Sequence, residues 1–158
     1  MFHRFRYEEE FYPSLSRIPL HVRMKLDLTG IKISLKHWLA FDFFERLALC
    51  HLPCQSTEEK EAFVAYLDFL SRKHAEAPIE MTDPLDSALW NEAQLPEPVR
   101  KKSADLLDPV TPQEWLGWTF HERYALYKTA MSQSQPEAFA QVLCQLRDQR
   151  EVHSDATR

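Results

Sequence analysis

The sequence predicts an all-α fold, a bundle of about seven or eight helices built as two similar helical units, with a short extended segment at the N-terminus. Three observations carry this expectation. The 158 residues include only two glycines, Gly30 and Gly117, whereas tight β-hairpins call for residues that accept positive φ. Capping residues recur just ahead of apolar stretches with helical period. The chain also matches itself at an offset of 77 positions.

That offset lays PLHVRMKLDLTGIKISLKHWLAFDFFERLAL (19–49) over PEPVRKKSADLLDPVTPQEWLGWTFHERYAL (96–126), with 11 identities in 31 positions. Among them Pro19 meets Pro96, Lys25 meets Lys102, Trp38 meets Trp115, and Arg46 meets Arg123. A one-residue shift aligns EAFVAYLDFL (61–70) with EAFAQVLCQL (137–146). The expected organisation is a single domain, 1–158. Its repeat units, 19–74 and 96–151, are joined by a packed connector, 75–95.

The elements follow in order. FHRFRYEEEF alternates briefly and reads as extended. Pro19 suits the first turn of a helix, because proline has no N–H to lose there. That helix runs to about Leu28, and Gly30 fits the left-handed position that stops it. Ser34 caps LKHWLAF, Asp42 with Glu45 caps FFERLALCHL, and Pro53 ends that helix. After Ser56, a helix over 58–74 carries Phe63, Tyr66, Leu67 and Leu70 on one face. A short connector helix runs from Pro84 to Asn91, capped by Asp83 or Thr82. In the second unit Thr111, Pro112 and Glu114 repeat the start signal, and Thr119 with Glu122 forms another capping box. A last helix spans 136–151, beyond which REVHSDATR reads as frayed.

Composition narrows the function. The formal net charge of −5 disfavours nucleic acid, whose phosphates are neutralised by a basic surplus. The HTH-like reading of IKISLKHWLAFDFFERLAL is disfavoured too, since FFERL offers aromatic bulk where a base reader needs polar side chains, and a nucleic-acid-binding helical protein stands as the second alternative. Two glycines cannot build a phosphate-cradling loop. The start of the chain lacks an apolar signal core and no run reaches membrane-span length, so a cytoplasmic location without membrane contact is expected.

Chemistry is sought residue by residue. Cys50, His51 and Cys54 sit together, with His37 and Cys144 as further candidates, but no second ligand pair completes a zinc pattern. Buried cysteine as a small hydrophobe is the plainer reading. Glu8, Glu9 and Glu10 form a charge run without the Glu-x-x-His partners of a di-iron site. No serine lies in a nucleophile elbow. Accordingly no catalytic residue, metal or cofactor is assigned. Trp38, Arg46, Trp115 and Arg123, used twice, read as structural anchors, the arginines joining helices by ion pairs. The unrepeated part of the first unit is more informative: Asp27, Gly30 and Lys32 face Ala104, Leu107 and Pro109. With Arg23 and Lys25 they form the candidate interaction surface. An enzyme or small-molecule carrier of unfamiliar type, using the EEE run, Arg23 and histidines, is the competing reading.

The same residues carry a resemblance. Phe5, Tyr7, Glu8, Glu9 and Phe11 are followed by Ser14, Leu15, Ile18, Pro19, Val22, Arg23, Lys25, Leu26 and Asp27. Gly30, Lys32, Ile33, Ser34, Leu35 and Trp38 complete the pattern, and ERYALYK (122–128) adds to it. This resembles the nitrate reductase associated protein family over about residues 5–130. Members often occur beside genes for assimilatory nitrate reductase and molybdenum-cofactor synthesis, and in photosynthetic bacteria a member is thought necessary for an active reductase. The resemblance implies an accessory or maturation protein, with the reductase or a cofactor-maturation protein as partner. It does not imply the reductase itself: the chain has no CxxC-rich iron–sulfur pattern and no room for a molybdopterin domain.

Overall fold

Most of the helix starts written in the sequence are present in the computed structural model, which describes residues 1–157. The fold is all-α apart from one two-stranded ribbon. Nine α-helices and one 3-10 helix stand among the described residues, against about seven or eight expected, because pieces as short as four residues carry no readable period. The chain divides into two compact units. The first comprises Met1–Arg4 and Glu8–Asp86, and the second Phe5–Tyr7 with the chain from Ser87 onward.

The N-terminal segment is not extended. Arg6–Phe11 forms a 3-10 helix, and the Tyr12 hydroxyl donates back to the Glu8 carboxylate over 2.9 Å. Brief alternation in the sequence misleads here because Glu8 points inward, toward Leu20.

In the first unit α1 spans Leu20–Thr29, α2 Leu35–Ala40, α3 Phe43–His51 and α4 Thr57–Ala75. Ser34 accepts from the His37 N–H, and Asp42/Glu45 and Ser56/Glu59 form reciprocal capping boxes. Gly30 closes α1 at φ 72°, its N–H donating to Leu26 O. Strand β1 (Ile31–Lys32) pairs antiparallel with β2 (Glu80–Met81), Ile31 opposite Met81. The Thr82 N–H donates to Gly30 O at 2.6 Å and the Leu85 N–H to Asp27 O at 2.8 Å. These bonds hold residues 82–85 as a strap over the end of α1, so the expected connector helix from Pro84 shrinks to α5, Ala88–Asn91. The core gathers Val22, Leu26, Trp38, Leu49, Phe63, Leu67 and Leu70.

The second unit contains α5, then α6 (Glu97–Ala104), α7 (Pro112–Gly117), α8 (Phe120–Ala130) and α9 (Ala138–Ala156). Thr111 and Glu114 make the expected capping box. Thr119 does not: its hydroxyl donates to the Glu122 carboxylate at 2.9 Å instead of accepting a backbone N–H. Helix α9 runs past the expected fraying point at Glu151, and the Thr157 hydroxyl bonds His153 O at 2.7 Å near its end. Trp90 packs against Phe120, Tyr124 and Tyr127 with ring centroids 5.0–5.9 Å apart. Helices α5, α6 and α9 all pack on α8. Arg6 ties the N-terminal segment to α9, its N–H donating to Gln145 and its guanidinium pairing with Asp148.

Candidate functional site

Proline 53 shapes the interior of the first unit. It stops α3, and having no N–H it cannot donate to Leu49 O, the acceptor one turn back. Lys25 fills the gap. Its Nζ donates to Leu49 O at 2.8 Å, Cys50 O at 3.0 Å and Leu52 O at 2.5 Å, so all three ammonium protons are used. It also lies 5.7 Å from the Phe63 ring centroid. The arrangement is a cation placed at the negative end of a helix. Burial pulls the Lys25 amine down to about 8.

Glu8 does the converse at α1. Pro19 supplies no side-chain cap, and the Glu8 carboxylate accepts from the Leu20 N–H at 3.0 Å instead. Burial pushes Glu8 up to about 7, against the Tyr12 hydroxyl and Leu20 N–H that favour its ionised form. Burial likewise pushes the Cys50 thiol up to about 12 and raises Cys54. A thiol held neutral in this way is not a nucleophile. Glu45, by contrast, is brought down to about 2: burial opposes its charge, but the Asp42 N–H, Lys73 and His74 together outweigh that. Glu8, Lys25, Cys50 and Glu45 are each built into a helix end or a buried pair, and Cys54 is packed in the loop after α3.

The candidate surface therefore needs correcting. Lys25 is 2% exposed and is withdrawn from it, because its ammonium is spent inside the unit. Gly30 is buried too, and a Cβ there would lie 2.3 Å from Thr82 O. Arg23 and Lys32 are exposed. Arg23 Nε donates to Ile18 O, and Lys32 faces Glu80 at 3.9 Å. Asp27 is half-buried, its carbonyl taken by Leu85.

Trp38 and Trp115 are fully buried. Trp38 Nε1 donates to Leu15 O and Trp115 Nε1 to Glu92 O, each at 2.8 Å and each 23 residues upstream. Neither arginine forms the expected ion pair among the described residues. Arg46 Nη1 donates to the same Leu15 O at 3.2 Å. That carbonyl belongs to a residue at φ 50°, so two donors hold a strained turn. Arg123 reaches Trp115 O and Leu116 O at the end of α7. Short apolar helices leave free carbonyls at their C-termini, and a guanidinium fork suits them better than a neighbouring carboxylate. Sequence reasoning missed Glu8 as a cap and Lys25 as an internal cation; Pro53 four residues after Leu49 is the signal that points to the second.

No group of three or more His, Cys, Asp or Glu side chains is placed to hold a metal among the described residues, and no described helix is long and apolar enough to cross a membrane. Residues 4–146 match the family described as conserved nitrate reductase-associated protein. The chain belongs to that family. No match was found among curated proteins or among solved structures. The nitrate reductase-associated pattern now acquires physical content: Glu8 caps α1, Lys25 caps α3, Gly30 ends α1, Ser34 starts α2, and Trp38 pins Leu15.

Proposed function

We propose that this protein is a non-catalytic accessory or maturation factor. It acts through protein–protein contacts on assimilatory nitrate reductase or on the insertion of its molybdenum cofactor, in the cytoplasm. Membership of the nitrate reductase-associated family across residues 4–146 carries the reading. The chemistry of the interior supports it: the strongly shifted groups Glu8, Lys25, Cys50 and Glu45 are committed to buried packing or helix ends. The contact surface is centred on Arg23 and Lys32, with the half-buried Asp27 between them in sequence and the exposed Leu35 and Leu39 just after.

Affinity capture from the native host grown on nitrate tests this. The wild-type protein should retain the reductase or a cofactor-maturation protein, and Arg23→Glu with Lys32→Glu should lose it. An unchanged set of captured proteins removes the surface. A deletion strain that keeps full reductase activity removes the accessory role itself.

A further inference from the structure

The two units treat one aligned locus differently. In the first unit Phe41, Glu45, Lys73 and His74 form a closed cluster. His74 lies 5.8 Å from the Phe41 ring centroid. Its Nε2 and the Lys73 ammonium both reach the Glu45 carboxylate, at 2.7 and 2.9 Å. Glu45 is consequently 8% exposed.

The aligned residues in the second unit are Trp118, Glu122, Gln149 and Arg150, at the 77-residue offset for the first two and the shifted register for α9. They line an open groove of about 570 Å³, with Leu146 and His153 among its other walls, a volume in the range of small-molecule sites. Arg150 takes the place of His74 and lies 5.6 Å from the Trp118 ring centroid. Its guanidinium occupies the space where a Cβ on residue 117 would stand, 1.6 Å from Nη2. A side chain at 117 would therefore displace the flexible end of Arg150 from this position. No hydrogen bond or ion pair within the described residues uses the guanidinium. An arginine held against an indole ring with unspent donors is suited to receive a carboxylate. Across the aligned locus, Gln149 replaces Lys73, so Glu122 has lost the ammonium that its counterpart holds. It accepts from the Thr119 hydroxyl at 2.9 Å, which leaves acceptor positions on the carboxylate.

We propose that this groove binds a small zwitterion, an amino acid or short peptide. Arg150 takes its carboxylate, Glu122 takes its ammonium, and Trp118 with Leu146 packs its apolar part. The inference goes beyond the accessory reading and is tested on the full-length protein with no partner present.

The experiment is a titration by calorimetry and by NMR with glycine, 4-aminobutyrate, 6-aminohexanoate and Gly-Gly. Acetate and methylammonium serve as single-charge controls. At least one zwitterion should bind about tenfold or more tightly than either control. Arg150→Gln and Glu122→Gln should each weaken it by a similar factor. Gln149→Lys rebuilds the closed cluster of the first unit and should abolish binding while keeping both charges, with thermal unfolding confirming the folded state. The proposal is overturned if no zwitterion binds at about 10 mM, if a single-charge control binds equally well, or if Gln149→Lys leaves the affinity unchanged.

Discussion

The first unit buries the ionisable groups Glu8, Lys25 and Glu45, whereas the buried polar side chains of the second are the neutral Ser103, Thr129 and Gln145. The frame around them is shared: both use a proline at the start of the first helix, a buried tryptophan pinned to a carbonyl 23 residues upstream, and an arginine on backbone oxygens. The interiors diverge because the third helix ends differently. Pro53 aligns with Ala130. The proline stops α3 after nine residues, while α8 runs for 11. A stopped helix leaves carbonyls that need a cation; a continued one does not. Lys102 accordingly stays half-buried with no such duty.

The sharpest way to break that comparison is to mutate the aligned lysines. Lys25→Met should cost about 3–5 kcal/mol in chemical denaturation, since three carbonyls lose their donor. Lys102→Met should stay within about 0.5 kcal/mol. Adding Pro53→Ala to Lys25→Met should recover part of the loss, because a restored N–H can serve Leu49 O. Strict additivity of the two changes would refute the link between the proline and the lysine.

Glu8 gives the next effect, through pH. Its folded pKa of about 7 stands above the ordinary 4.5. Below pH 4.5 both states are protonated and burial of the carboxyl carries no ionisation cost. Between 4.5 and 7 the unfolded chain releases its proton more readily, so stability falls as pH rises, by on the order of 3 kcal/mol in total. Glu8→Gln should flatten that decline in melting experiments across the range. Lys25 acts at higher pH and with opposite slope: from about 8 upward the unfolded chain binds more protons, so stability recovers.

Smaller effects sharpen the comparison. Gly30→Ala should cost about 2 kcal/mol, through its left-handed φ and the backbone oxygen of Thr82. Changing its fully exposed counterpart Leu107 to Ala should be nearly silent. Trp38→Phe and Trp115→Phe should each cost about 1–2 kcal/mol, since each loses one indole donor. A marked inequality between them would show that the two anchors are not equivalent.

Much of this architecture was legible because it rests on local rules. Ser34, Asp42 and Thr111 announce helix starts by side-chain chemistry that acts within three residues. The β1–β2 ribbon was not legible, since two-residue strands have no period and their pairing depends on Gly30 meeting Thr82 across 52 positions. The burial of Lys25 was hidden for a related reason: the sequence around it reads as an ordinary solvated lysine, and its partners lie in another helix. In the candidate surface, Arg23 and Lys32 stand exposed as polarity alone implies, whereas Lys25 and Gly30 are held inside by contacts that only the fold creates.

The bond between Arg6 and α9 sets a schedule for synthesis. Arg6 is made well before its partners Gln145 and Asp148, which lie 139 and 142 positions later. On a ribosome the segment Phe5–Tyr7 therefore emerges long before the unit it belongs to. The first four helices can collapse on their own apolar faces while those three residues wait. The segment Phe5–Tyr7 acts as a late clasp, closed only once α9 has been made, and because Met1–Arg4 and Glu8 on either side of it belong to the first unit, a truncation through Glu8 strikes both units, whereas Arg6→Ala strikes the second alone.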